Sequence, residues 1–218
     1  MSERVTQKKK IGTQIKDSEL VRKKRLQIAM GASKLFIKKG YFQTGIREIS
    51  KTTGLTIGNL YDYIKKKEDI LYLVFDAFYT IWVNKLEEEG VLEMDDPVRQ
   101  LRASIQKMLE LVNDHRDMVL LMYTESKILP KEFLKIFLQK ESGFIEYFEN
   151  ILRKGIERGV FRIKDPFFLA NIIAYLLSLE PLRGWNLRKR YRTAKLNELI
   201  IEFILDKICV HPVSGRSK

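Results

Sequence analysis

Between Thr44 and Asp69 the chain reads TGIREISKTTGLTIGNLYDYIKKKED: hydroxyl, amide and phenol side chains set among short apolar spacings, followed by three lysines. Such groups suit hydrogen bonding to a polyanion, and the spacing says how they are presented. Ile46 and Ile49 make one apolar stripe at helical period, and Leu55, Leu60 and Ile64 make a second. Thr44 and Thr56 stand where each helix would begin, as N-caps require. Gly54 can take the positive φ that ends one helix before the next leaves at a steep angle. This is the pattern of a helix-turn-helix, whose second helix enters the DNA major groove.

Charge points the same way. Residues 1–67 carry 17 Lys and Arg against 5 Asp and Glu, whereas the rest of the chain carries 23 of each. The whole excess of +12 therefore sits in the first third. A basic segment that neutralises phosphates releases counterions and gives salt-dependent binding. An anionic membrane would attract the same charge, and the helix-turn-helix spacing is what selects DNA.

An enzyme is disfavoured. His115 and His211 are far apart in sequence, Cys209 lies in an apolar helical stretch, and neither a glycine-rich phosphate loop nor metal-ligand spacing occurs. Glu87, Glu88 and Glu89 splay around a helix and form no acid–base pair. No cofactor and no metal are expected. A single cysteine excludes an internal disulfide framework and suits a reducing cytoplasm. The segment MSERVTQKKKIGTQIK lacks the apolar core of a signal peptide. The longest apolar run, Pro166–Leu179, is too short to span a bilayer, so no membrane partner is expected.

The positioning elements follow from periodicity and punctuation. No strand-like alternation persists, so the class is all-α, with nine helices expected. The first runs from about Ser18 to Lys39 and stops at Gly40. After the helix-turn-helix come helices over about 67–89, 97–113 and 115–126, one from Pro130 to Gly155 or Gly159, one from Pro166 to Leu182, and a last from a Thr193 cap to Ile208. Asp96-Pro97 and Asp165-Pro166 are cap-plus-proline starts. The organisation is a flexible basic arm (1–16), a helix-turn-helix domain (17–66), a helical ligand-binding and dimerisation domain (67–210) and a polar tail (211–218).

The segment Gly40–Leu71, GYFQTGIREISKTTGLTIGNLYDYIKKKEDIL, resembles the signature of the TetR/AcrR family of bacterial transcriptional regulators. The shared features are glycine and aromatic, threonine cap, glycine turn, Leu-Tyr-x-Tyr, then lysine and an acidic residue opening a long helix. Ile64 stands where the family more often has phenylalanine. The resemblance implies a DNA-binding regulator without enzymatic activity. It implies that the Thr44 hydroxyl holds a phosphate at a helix N-terminus and that Arg47 reaches DNA. Thr56 opens the recognition helix. Leu60 faces inward with Ile64, which leaves Ile57, Gly58, Asn59, Tyr61, Asp62 and Tyr63 for the DNA side or its margins. Asn59 suits bidentate pairing with adenine, and Ile57 suits a thymine methyl. Gly58 allows close approach to base edges. Tyr61, Tyr63 and Lys67 look like phosphate contacts, with bracing of the first helix as the tyrosines' other role. Asp62 either accepts from a cytosine amino group or turns aside to a lysine. Lys8, Lys9 and Lys10 either enter a flanking minor groove or meet the backbone.

Two further expectations concern the larger domain. Ile172, Leu176, Leu196, Ile200, Phe203 and Ile204 lie on helices apolar almost all round, which suits a two-fold homodimer interface, with burial inside one chain as the alternative. Met108, Met118, Met122, Tyr123, Phe144, Phe148, Tyr175 and Trp185 are candidates for an effector pocket, with ordinary core as the alternative. The basic, aromatic run Arg183–Arg192 resembles the family's subgroup that senses acyl-coenzyme A thioesters, with a solvated basic linker as the alternative. The expected function is a homodimeric repressor of a near-palindromic double-stranded operator, released by a small apolar or acyl-CoA-like effector. The alternative is a ligand-independent architectural or division-linked DNA-binding protein of the same fold.

Overall fold

A computed structural model describes residues 11–13 and 15–210; Lys8, Lys9, Lys10 and the tail from His211 lie outside them. Within the described residues the chain forms ten α-helices: α1 Ser18–Lys39, α2 Ile46–Thr53, α3 Ile57–Tyr61, α4 Lys67–Glu88, α5 Pro97–Asp114, α6 Arg116–Glu125, α7 Lys131–Glu157, α8 Pro166–Leu177, α9 Leu179–Leu187 and α10 Thr193–Ile208. A 3-10 turn, Ser126–Ile128, precedes α7. The fold is all-α.

Most boundaries follow local chemistry. Asp17 accepts from the N–H groups of Glu19 and Leu20 at α1, Asp96 from Val98 and Arg99 at α5, and Asp165 from Phe168 at α8. Pro97 and Pro166 occupy first-turn positions where no N–H is needed. Gly40, Gly54, Gly90 and Gly159 take positive φ at or just beyond helix ends.

Three expectations are corrected. The helix expected over 166–182 is two helices, α8 and α9, bent by 50° at Ser178. Pro181 lacks the N–H that would bond Leu177, and its ring would meet that carbonyl, so α8 ends there. Thr193 is not the cap of α10; Arg192 holds that position without a side-chain bond. Thr44 likewise yields the cap of α2 to Gly45, whose N–H donates to Glu48 Oε2 at 3.1 Å.

The residues divide into two units, and the division falls inside α4, after the first residue of α6, and inside α7. One unit holds the residues up to Ile81 together with Asp117–Lys140. Its core is built from Ile28, Ala32 and Phe36 of α1, Ile49, Leu60 and the first turns of α4. Tyr72 stacks on Phe133 at 4.6 Å, and Phe75 meets Phe137 at 5.1 Å. Asp76 accepts from Tyr72 at 3.4 Å and pairs with Lys140.

The second unit holds, among the described residues, 82–116 and 141–210. Phe144, Tyr147, Phe148, Ile151 and Leu152 form the buried stripe of α7. Trp82 packs edge-on against Phe144 and Tyr147 at 4.8 and 5.2 Å, and the Tyr147 hydroxyl lies 2.6 Å from that of Ser104. An antiparallel bridge between Phe161 and Cys209 ties the ends of α7 and α10. No single helix among the described residues is long and apolar enough to cross a membrane.

Candidate nucleic-acid interface

α2 and α3 are short, at eight and five residues, and neither would persist alone. Tertiary packing holds them. Ile49 and Leu60 are fully buried, each stabilising the pair by roughly 1.5–3 kcal/mol. Gly54, in the left-handed region at φ 68° and ψ 16°, turns the chain, with Leu55 N donating to Ser50 O at 3.2 Å. Thr56 Oγ1 accepts from Asn59 N at 3.1 Å and caps α3. After α3 the buried Asp69 accepts from Lys65 N and Lys66 N at 2.7 and 3.0 Å, fixing the turn into α4.

This brings together an exposed surface of Arg47, Thr56, Ile57, Gly58, Asn59, Tyr61 and Asp62, carried on a buried Leu60. These groups offer guanidinium, amide, phenol and methyl contacts from one helix-turn-helix, which is what groove and phosphate recognition need. A Cβ at Gly58 would meet only Thr56 Oγ1, at 3.9 Å. Space alone therefore does not demand glycine there.

Two expected contacts do not belong to that surface. Thr44 is buried, and its hydroxyl donates to Gly40 O at 2.9 Å, which braces the turn after α1. Tyr63 is also buried, because the chain has left α3 by that residue. Lys67 is half-buried, with its ammonium 4.3 Å from the Tyr41 ring centre and 3.4 Å from Phe42 O. Burial lowers its pKa, and the ring face favours the cation.

Two residues escaped the sequence reading. Phe42 is 77% exposed beside the Lys67 ammonium. Arg25, on α1, donates from Nε to Tyr63 O at 3.1 Å and from Nη2 to Ile11 O at 2.5 Å. Nothing local signals Arg25, whose partners stand 38 and 14 residues away. Ile11 itself is buried, although residues 1–16 were expected to form a flexible arm.

In the second unit the interface candidates split. Leu196, Ile200 and Ile204 are buried inside the chain's own fold, whereas Ile172 and Phe203 are exposed and Leu176 is half-buried. On α8 and α10 the large apolar side chains left outward are Phe167, Phe168, Ile172, Tyr175 and Phe203. A helix apolar almost all round cannot say which side its own chain covers. The pocket candidates split too. Met108, Phe144 and Phe148 are buried in the second unit, and Met118 and Met122 in the first. Tyr123, Tyr175 and Trp185 are exposed, Trp185 with Lys189 5.6 Å over its ring.

Residues 28–72 match the family of bacterial regulatory proteins named for tetR, and residues 94–178 match a tetracyclin repressor-like C-terminal domain. Together they cover more than half of the chain. The HTH-type transcriptional regulator HbdR of Aromatoleum sp. (strain CIB) is 24% identical over 184 residues, covering 84% of this chain and 80% of the relative. The structure of AibR with isovaleryl coenzyme A and operator DNA aligns with a TM-score of 0.72 at 19% identity, over 84% of this chain and 99% of that one. FadR of Bacillus subtilis with stearoyl-CoA aligns with a TM-score of 0.71 at 21% identity, over 84% and 98%. An exposed helix-turn-helix surface, a basic first third and both family domains converge: the chain belongs to the TetR family of DNA-binding transcriptional regulators and is not an enzyme.

Proposed function

We propose that the chain is a homodimeric repressor that leaves a near-palindromic operator when an apolar carboxylic acid derivative, as its coenzyme A thioester, binds the second unit. The observation that carries the DNA half is the exposed row Thr56–Asn59 and Tyr61 over a buried Leu60. The dimer half is supported by Phe167, Phe168, Ile172, Tyr175 and Phe203, an outward apolar surface on α8 and α10 that a second copy would cover. The effector half is supported by AibR and FadR, solved with isovaleryl-CoA and stearoyl-CoA, and by the basic run around Trp185. Inside the second unit, Trp82 Nε1 is buried and has no hydrogen-bond partner among the described residues.

The mechanism is a population shift. The effector favours an arrangement in which α4 moves and the two recognition helices no longer match the half-site spacing. By linkage, effector and operator weaken each other by one factor, and a coupling of roughly 2–3 kcal/mol suffices to empty an operator. The close ring contacts of Trp82, Phe144, Tyr147 and Phe148 favour the second reading, a regulator of the same fold with a filled core and no ligand. Titrating free acids and acyl-CoA thioesters against an operator selected from random duplexes separates them. Release by a thioester at concentrations on the order of 100 μM supports induction; a complex that resists the whole panel supports the ligand-independent reading.

A further inference from the structure

The start of the described chain is fastened to the end of the recognition helix. Ile11 is buried, and its carbonyl accepts from Arg25 Nη2 at 2.5 Å. Thr13 Oγ1 donates to Asp62 O at 2.7 Å and accepts from Ile15 N at 3.2 Å. A Cβ at Gly12 would lie 3.0 Å from the Lys65 side chain, so the segment runs close against the turn that follows α3. Arg25 closes the arrangement from the α1 side, through Nε to Tyr63 O at 3.1 Å. One planar guanidinium therefore bonds the chain on both sides of the recognition helix's exit. Burial lowers the pKa of this guanidinium, and the negative charge of Asp76 and Asp69 opposes that by favouring the cation.

We propose that Arg25 is a positioning residue for DNA reading, and that the segment Ile11–Thr13 is a strap that sets where α3 stands. This rests on the DNA-reading role assigned above to α3. A five-residue helix has one buried side chain, Leu60, to fix it. One such anchor resists tilting poorly, whereas bonds to the backbone of Asp62 and Tyr63 fix the helix end directly. Base contacts depend on that placement. A bidentate pair discriminates bases only within hydrogen-bond geometry, while contacts to phosphate carry affinity without sequence information. Loosening the strap should therefore reduce selectivity and spare nonspecific binding.

Arg25→Lys isolates this. It keeps the charge, so the counterion term is unchanged, but a single ammonium cannot reproduce two bonds from one planar fork. The full-length parent is used to select a duplex from a random pool. Affinities for that duplex and for an unrelated duplex of equal length are then compared at one salt concentration. Arg25→Lys should lower the ratio of the two about tenfold, one lost base contact, while nonspecific affinity moves less than about twofold and helical content is unchanged. Thr13→Val removes a half-buried hydroxyl, involves no core residue and should lower the ratio about threefold, guarding against a misfolded Arg25 variant. Equal losses on both duplexes would show a merely structural Arg25 and overturn the assignment, as would a ratio that survives both substitutions. A parent that selects no duplex would sink the DNA-reading role and the assignment with it.

Discussion

Gly31 of α1 faces Thr53, the last residue of α2, and a Cβ there would stand 2.6 Å from Thr53 Cγ2. Carbon atoms rest at about 3.5–4.0 Å, so Gly31→Ala demands a shift of roughly 1 Å. Thr53 cannot swing its methyl away: it is buried, its hydroxyl donates to Ile49 O at 2.8 Å, and its carbonyl accepts from Gln27 Nε2 at 2.7 Å. Two effects oppose. Alanine in place of a mid-helix glycine gains about 1 kcal/mol of propensity, while overpacking costs about 1–3 kcal/mol. The net expectation is a loss of up to about 2 kcal/mol, with α2 pushed from α1 and α3 carried with it. Thr53→Ser deletes the offending methyl and keeps the hydroxyl. Alone it costs about 0.5–1.5 kcal/mol, like other single-methyl deletions; in the double variant the propensity gain returns. The coupling should be about 1–3 kcal/mol in urea unfolding, and affinity for a selected operator should fall in the single variant and recover in the double. A Gly31→Ala protein about 1 kcal/mol more stable than its parent, or one that serine at 53 fails to rescue, would refute the close approach of α1 and α2.

Three other outcomes follow from the same geometry. Gly58→Ala has room in the free protein, so it should raise stability by up to about 1 kcal/mol and weaken operator binding by adding a methyl on the DNA side; unchanged binding in a mobility-shift titration would show that no base edge comes that near. Ile172→Glu with Phe203→Glu places charge on exposed positions and should leave the chain folded but monomeric in sedimentation, whereas an intact dimer would exclude that surface as the interface. Burial pushes the Glu141 carboxyl up from 4.5 to about 7. Between those values the native chain holds a proton that the unfolded chain releases, so stability falls as pH rises from about 4.5 through about 7, by at most about 3 kcal/mol. Glu141→Gln should remove that fall, and equal differences from the parent at pH 5 and pH 8 in denaturant unfolding would contradict it.

What the sequence disclosed was local. Asp96-Pro97 and Asp165-Pro166 start α5 and α8 because cap and first turn are decided within four residues. Gly54 ends α2 because a positive φ is a property of one residue. The bend at Ser178 was also written in the sequence, through Pro181, and was missed because the surrounding apolar run dominates the period. Thr44 misled for a different reason. Its hydroxyl could serve either the helix ahead or the carbonyl behind, and burial under the turn after α1 selects Gly40 O. Leu196, Ile200 and Ile204 were indistinguishable from Phe203 by composition, since all are apolar on one helix. Which of them faces inward is decided by α5, along which α10 packs.

Arg25 marks the limit of such reading and also its reason. α3 is too short to hold itself, so its position is a sum of distant supports: Leu60 in the core, Asp69 on the turn beyond, and Arg25 bonding Tyr63 O and Ile11 O. None of these is periodic, and none lies within a helical turn of another. A motif records the residues that meet DNA because they are contiguous, while the residues that aim them are scattered by the fold. The shorter the reading helix, the larger the share of its accuracy that must come from such scattered supports.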